Sequence, residues 1–376
     1  MSHAPERALA RIDLGAVERN CGKLRSRLGD GAELAAVVKA NAYGHGDVWC
    51  AKAALAGGAT WLAVATAGEA AELRRHGIGS RILVMGALTH EDARLAIESV
   101  ADVVVWDEAF LHALAELRPQ GAAGVRVHVK LDTGMGRLGT KDRELALTLA
   151  EIAAGDERLE LVGAMTHFAT ADEPGDDHFG AQLSSFEPFA AELKRAHPAV
   201  VVHAANSAAT LREPAAHFDM VRCGVAIYGL DPFGRDAPRQ GLEPVLSLES
   251  YVATVKRFEP GESAGYGRTW RAERPTWIGT VPIGYGDGWR RALSNRGEVL
   301  VRGRRHPVVG TISMDNLTID LGEETDVRPG EPVVLIGAQG GERISCEEVA
   351  ERLGTINYEV TCGLSPRVRR QWLGPR

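Results

Sequence analysis

Between Leu34 and Leu230 short apolar, β-branched runs alternate with longer stretches of helical period, and this repeated alternation restricts the possible folds more than any other feature. In order the runs are LAAVV, WLAVA, ILVMG, DVVVW, VRVHVK, ELVGAMTHF, VVVHA and DMVRCGVAIYG, eight in all. The stretches between them, such as Ala67 to His76, Asp107 to Leu117 and Phe179 to Ala196, are rich in Ala, Leu and Glu with apolar residues at helical spacing. Eight strand-and-helix repeats predict an α/β chain that closes into a (β/α)8 TIM-like barrel, with a doubly wound open sheet as the rival.

At Asp231 the texture changes. DPFGRDAPRQGLEP brings three prolines, and beyond it come SLESYVATVKRF, WIGTVPIG, EVLVRG, NLTIDL and PVVLIG. These predict a mainly antiparallel β domain with one good helix, SCEEVAERLG, capped by Ser345 with Glu348 three residues on and stopped by Gly354. The expected division is a barrel over 1–235 and a β-rich domain over 236–376.

Lys and Arg total 43 against 50 acidic residues, a net charge of −7 spread along the chain, so no basic face is expected for nucleic acid. The five cysteines are widely spaced with no CxxC pair, which fits free thiols in a reducing compartment. MSHAPERALARIDLG lacks the apolar core of a signal peptide, and no stretch approaches the roughly 18 apolar residues of a membrane span. A cytoplasmic protein is expected.

A barrel does its chemistry at the C-terminal ends of its strands, so the polar residues that follow each run are the candidates. Only seven residues are lysine, while 36 of the 43 basic residues are arginine, which makes a lysine at a strand end worth explaining. AVVKANAYGHG puts Lys39 where the first strand opens, with Tyr43 just after it. An apolar setting disfavours the ammonium and frees the amine for Schiff-base chemistry; the competing reading is a lysine that snorkels to water. VKLDTGMGRLG supplies Lys130, Asp132 and Arg137. Its GMGRLG has the spacing of a dinucleotide fingerprint, but it falls in the fifth repeat, where that motif does not belong. His167 follows strand six, Asn206 and Ser207 follow strand seven, and Arg222, Gly224 and Val225 lie at strand eight. Loops after strands seven and eight are where barrels hold phosphate, through amides and a helix N-terminus. Taken singly, His167 also reads as a core histidine and Ser207 as a helix cap.

Together AVVKANAYGHG, VKLDTGMGRLG, THFATADEP, ANSAAT, RCGVAIYG, AGYGRTW, IGYGDG, GTISMD and INYEVTC resemble the alanine racemase family of pyridoxal-phosphate enzymes, in that family's order and over essentially the whole chain. The resemblance implies pyridoxal 5'-phosphate held on Lys39 as an internal aldimine, its phosphate gripped by Tyr43, Ser207, Gly224, Val225 and Tyr358, with Asn206 nearby. Arg222 would face the pyridine nitrogen, with His167 behind it. An arginine cannot accept a proton there and disfavours ring protonation, which keeps the carbanion short-lived and suits simple inversion of a stereocentre. Inversion needs a base on each face, and the resemblance supplies Lys39 for one and Tyr266 of a second subunit for the other. A tyrosine with a pKa near 10 needs cationic neighbours such as Arg137 to act as a base. Lys130 can carry a carbamate in this family, the alternative being an ammonium paired with Asp132. Arg137, Met314, Asp315 and Tyr285 would shape the substrate pocket.

The implied function is interconversion of L- and D-alanine in a homodimer with shared sites, supplying D-alanine for peptidoglycan. Thr311 and Arg268 depart from the common family pattern near the substrate entrance. A serine or broad-specificity racemase, a related decarboxylase and a non-catalytic pyridoxal-phosphate binder are the alternatives; the decarboxylase would want a carboxylate where Arg222 stands. No resident metal is expected.

Overall fold

The computed structural model describes residues 6–29 and 31–374. Nine strands occupy its N-terminal two thirds: β1 (Leu9–Asp13), β2 (Glu33–Val37), β3 (Trp61–Val64), β4 (Arg81–Val84), β5 (Asp102–Val105), β6 (Val125–Lys130), β7 (Leu159–Met165), β8 (Val201–His203) and β9 (Met220–Cys223). Strands β2 to β9 form a closed, parallel, eight-stranded barrel, sealed by pairing of β2 with β9 at Ala35↔Arg222. The open-sheet rival is thereby excluded. The strands are almost continuously buried, as expected where both faces of a parallel sheet are covered, and Leu34, Leu62, Ile82, Val103 and Val127 are wholly inaccessible.

The helices follow the expected segments: Ala67–Arg75 and His90–Glu98 begin in capping boxes at Thr66 and Thr89, and Glu108–Leu117 is capped by Asp107. The longest, His178–Ala196, buries Phe179, Phe186 and Phe189 against the barrel. Among the described residues no helix is long and apolar enough to cross a membrane.

Among the described residues the second compact unit comprises 6–16, Gly234–Arg239 and 243–374, which corrects the expected assignment of residues 6–16 to the barrel. The reason is strand pairing. Continuing in chain order, this unit holds β10 (Leu246–Tyr251), β11 (Thr254–Phe258), β12 (Ser263–Ala264), β13 (Trp270–Arg271), β14 (Thr276–Val281), β15 (Glu298–Val301), β16 (Arg304–Pro307), β17 (Leu317–Gly322), β18 (Pro332–Gln339), β19 (Glu342–Ile344) and β20 (Arg369–Leu373). Strand β1 lies between β10 and β20, antiparallel to the first and parallel to the second, in the order β16-β15-β18-β10-β1-β20, with β19 on β18. Ala10 and Ile12 point inward from it and are fully buried. Strands β11, β14 and β17 form a separate antiparallel sheet. The helix Cys346–Leu353 is capped by Ser345 and ends on left-handed Gly354 as expected, but a second helix, Asn357–Cys362, joins it.

Candidate active site

The barrel unit carries most of the candidate residues at one end. Directly after β2 the chain makes a turn in which Ala40, Asn41, Ala42 and Tyr43 all have φ between 52° and 54°. Each such left-handed L-residue costs about 1–2 kcal/mol, so neighbouring contacts must impose the turn. Ala42 N–H donates to Val38 O at 2.9 Å and Gly44 N–H to Ala40 O at 3.0 Å. Glu69 Oε1 accepts the Ala40 amide at 2.6 Å, while Oε2 accepts Ala65 N–H at 2.8 Å. Beneath the turn Tyr43 packs on Tyr228 with ring centres 5.1 Å apart, and Tyr228 stacks on His45 at 4.6 Å. Tyr228 Oη donates to Val37 O at 2.8 Å. The turn thus holds Lys39 at the barrel mouth in one place.

On the adjoining strands the loops after β8 and β9 are knit together. Asn206, and not Ser207, caps the helix Ser207–Arg212 by accepting Ala209 N–H at 3.0 Å. The Ser207 hydroxyl is therefore released from capping, and it accepts the Gly224 and Ala226 amides at 3.0 and 3.3 Å. A Cβ at Gly224 would lie 2.3 Å from Tyr43 Oη, so a larger residue there must displace the tyrosine hydroxyl. Tyr43 Oη, the Ser207 hydroxyl and the Gly224 backbone are thereby brought together, with Val225 next in the chain.

The charges beside this cluster are mostly positive. Arg222 is buried, and its guanidinium donates to His203 Nδ1 at 2.8 Å, Thr166 O at 2.9 Å, Ala204 O at 3.0 Å and His167 Nδ1 at 3.2 Å, all neutral acceptors. Burial lowers its pKa to about 10. His167 and His203 are held well below the usual imidazole range, first by burial and then by the Arg222 charge, so both are neutral at pH 7. Lys130, at the end of β6 and 3% exposed, is lowered to about 8 by burial and by Arg222, Arg137 and Lys39, against the opposing pull of Asp132. Asp132 gives its oxygens to the amides of Gly134, Met135 and Gly136 at 2.8–3.1 Å. These bonds outweigh its burial and keep it ionised. The glycine-rich loop is thus wrapped around its own aspartate, and Arg137 is exposed beyond it.

The β unit carries the remaining candidates. Tyr266 is 74% exposed and Met314 51%, unusual for side chains of this size. Tyr266 lines a cavity of about 330 Å³ with Gly265, Thr311, Ser313 and Asn316. The Tyr285 amide donates to Ser313 O at 3.1 Å, and Asp315 pairs with Arg367 at 2.6 Å. Asp287 of the same loop is buried, with Arg7 and the Gly284 amide as partners. Thr311 bridges to Gly265 and lies 3.1 Å from Thr269, hydroxyl to hydroxyl, and Tyr358 is half-buried on the helix Asn357–Cys362.

The sequence profile described as the alanine racemase N-terminal domain matches residues 12–232, and that of the C-terminal domain matches 245–372. The chain belongs to the alanine racemase family. An alanine racemase of Symbiobacterium thermophilum is 44% identical over 367 residues, 97% of each chain, and one of Geobacillus stearothermophilus is 45% identical over 96% of this chain and 92% of its own. The crystal structure of alanine racemase from E. faecalis superimposes with a TM-score of 0.92 at 39% identity, covering 98% of both chains. Alanine racemase from the D-cycloserine producer Streptomyces lavendulae gives 0.93 at 37%, over 100% of this chain and 99% of that one.

Two supporting residues, Glu69 and Gln182, escaped the sequence reading, and so did the structural role of His203. Glu69 was legible only as a helix cap, yet it also anchors the Lys39 turn. Gln182 accepts Ala169 N–H at 2.8 Å and donates to His167 O at 3.0 Å, fixing the loop after β7. His203 sits inside an apolar run, where its bond to Arg222 has no local signal.

Proposed function

We propose that this protein interconverts L- and D-alanine with pyridoxal 5'-phosphate as cofactor, acting in the cytoplasm as a homodimer in which Tyr266 of a second copy completes each site, and that it supplies D-alanine for peptidoglycan. The observation that carries the reading is that Lys39 directly follows the first barrel strand, while the strand hydrogen-bonded to that one carries a buried Arg222 that donates to neutral acceptors. The residues present fit the cofactor. Tyr43, Ser207, Gly224 and Val225 would hold its phosphate, and a Cβ at Gly224 would crowd the Tyr43 hydroxyl there. When bound, the cofactor supplies an electron sink for the pair left on the substrate's α-carbon.

This chain's own groups then determine the outcome. Arg222 offers N–H donors and no acceptor, so it could not accept a hydrogen bond from a protonated ring nitrogen and would favour the unprotonated form. With Arg222 there the cofactor would be a weaker electron sink, which would favour rapid return of the proton, and so inversion, over decarboxylation or amino transfer. Lys39 Nζ takes or returns a proton on one face and Tyr266 Oη on the other, and the two together allow the proton to come back opposite to where it left. Arg137 binds the substrate carboxylate, and Lys130, either as amine or as carbamate, sets its orientation. Met314, Asp315 and Tyr285 limit the pocket to a small side chain.

The test is direct. Purified protein with L-alanine should yield an equal mixture of enantiomers, read by a D-amino-acid oxidase assay, and borohydride should leave a reduced adduct on Lys39 by peptide mass. A protein without a visible band that leaves L-alanine untouched would overturn the reading.

A further inference from the structure

Below Arg222 an unbroken row of polar side chains runs through a wall of Val, Leu and Ala. His203 Nδ1 accepts from Arg222 Nη1 at 2.8 Å, His203 Nε2 lies 2.9 Å from His128 Nδ1, and His128 Nε2 lies 3.2 Å from Asp102 Oδ2. His128, His203 and Asp102 are wholly buried. Asp102 opens β5, so the row runs from the mouth of the barrel to its base, where Arg81 and Arg126 pair with the same carboxylate. Room has been made for it. A Cβ at Gly163 would lie 2.0 Å from His128 Nδ1, and the pairing of β6 with β7 slips between Val127 and His128.

The chemistry of the two ends leaves one proton arrangement. A guanidinium only donates, so His203 Nδ1 must be bare and its proton must sit on Nε2. That N–H meets His128 Nδ1, which must be bare in turn, so the His128 proton sits on Nε2 and faces a carboxylate that only accepts. We propose that Asp102 is a positioning residue for the reaction: through His128 and His203 it fixes the tautomers that keep the Arg222 guanidinium in its present orientation. Without an acceptor at the base, the His128 N–H is buried without a partner, and a proton on Nδ1 becomes the better arrangement. The reversal then places an N–H of His203 against the guanidinium and turns it away. The tautomer assignment stands on the geometry alone, whereas its effect on turnover rests on the reading of Arg222 given above.

The experiment is nitrogen NMR of the purified enzyme labelled with [15N]histidine, in which the two neutral tautomers give distinct patterns. In the wild type both His128 and His203 should carry their proton on Nε2 only; a proton on Nδ1 of either overturns the proposal, whether or not any variant folds. Asp102→Leu should bring a population protonated on Nδ1 and lower kcat roughly tenfold with KM little changed, the size of one lost hydrogen bond to a charged group. Asp102→Asn, which keeps an acceptor, and Arg126→Ala, which removes an ion pair at the base and a bond to Val100 O but leaves the carboxylate in place, should both retain the wild-type tautomers. Unchanged tautomers in Asp102→Leu would refute the proposal. Tautomers that shift while kcat holds would uphold Asp102 as the source of the arrangement and refute the reading of Arg222 instead.

Discussion

Glu69 accepts the Ala40 amide with one oxygen and the Ala65 and Thr66 amides with the other, at 2.6, 2.8 and 3.1 Å, so a single carboxylate ties the turn that carries Lys39 to the loop after the next strand. The residue is also the third of its helix, where it completes the Thr66 capping box. Glu69→Ala should therefore destabilise the protein by about 2 kcal/mol, the scale of hydrogen bonds to a charged acceptor, and should lower kcat more than it raises KM. Urea unfolding and steady-state kinetics on one preparation test both; a variant with native stability would remove Glu69 from the account of the turn.

Lys39→Ala should abolish turnover in both directions and remove the visible absorbance band of the purified protein, because one residue is proposed to anchor the cofactor and to serve as a base. Near-native turnover in that variant is the outcome that would end the assignment.

Gly224→Ala should weaken pyridoxal-phosphate binding at least tenfold while leaving the protein folded, since the added methyl meets the Tyr43 hydroxyl at 2.3 Å inside the proposed phosphate cradle. Fluorescence titration of apoprotein measures this. Inorganic phosphate should lose affinity in parallel.

Lys130 supplies a dependence on pH with a definite sign. Its folded pKa, about 8, lies below the ordinary lysine value of 10.5. Below about pH 8 both states hold the proton and the folded protein bears the full burden of a buried ammonium; between about 8 and 10.5 the folded chain sheds it first and stability rises. In carbonate-free buffer the wild type should therefore gain on Lys130→Met across that window, by at most about 3 kcal/mol, in paired denaturant titrations. A carbamate at Lys130 would erase the gain, and restoring bicarbonate distinguishes the two states.

Mixing inactive Lys39→Ala and Tyr266→Ala proteins, unfolding them and letting them reassociate at random should restore roughly a quarter of native activity per site, because half the dimers are mixed and each has one intact site by two-fold symmetry. No recovery would place both bases in one chain.

The barrel could be read because its evidence is local: each strand is a short apolar run, and each candidate at the mouth follows such a run directly, as Lys39 follows β2 and Lys130 ends β6. The placement of residues 9–13 could not be read, since LARID is unremarkable until Leu246–Tyr251 and Arg369–Leu373 are brought to its two sides. The row from Arg222 to Asp102 was hidden for the same reason. Its four members come from four different strands, and none of them has its partner within its own run. Gly163 was the only trace of the space they need. The Ser207 cap reading was off by one residue because Asn and Ser are both good caps, and only the backbone decides which stands first.

The turn from Ala40 to Tyr43 has a consequence of handedness. A left-handed conformation that is unfavourable for an L-residue is the preferred right-handed well of its mirror image. A semisynthetic protein with D-alanine at position 40 or 42 should therefore relax backbone strain of about 1–2 kcal/mol per substitution and melt at a higher temperature. The backbone next to the reactive lysine would thus accommodate, as a building block, the enantiomer that the enzyme is proposed to make.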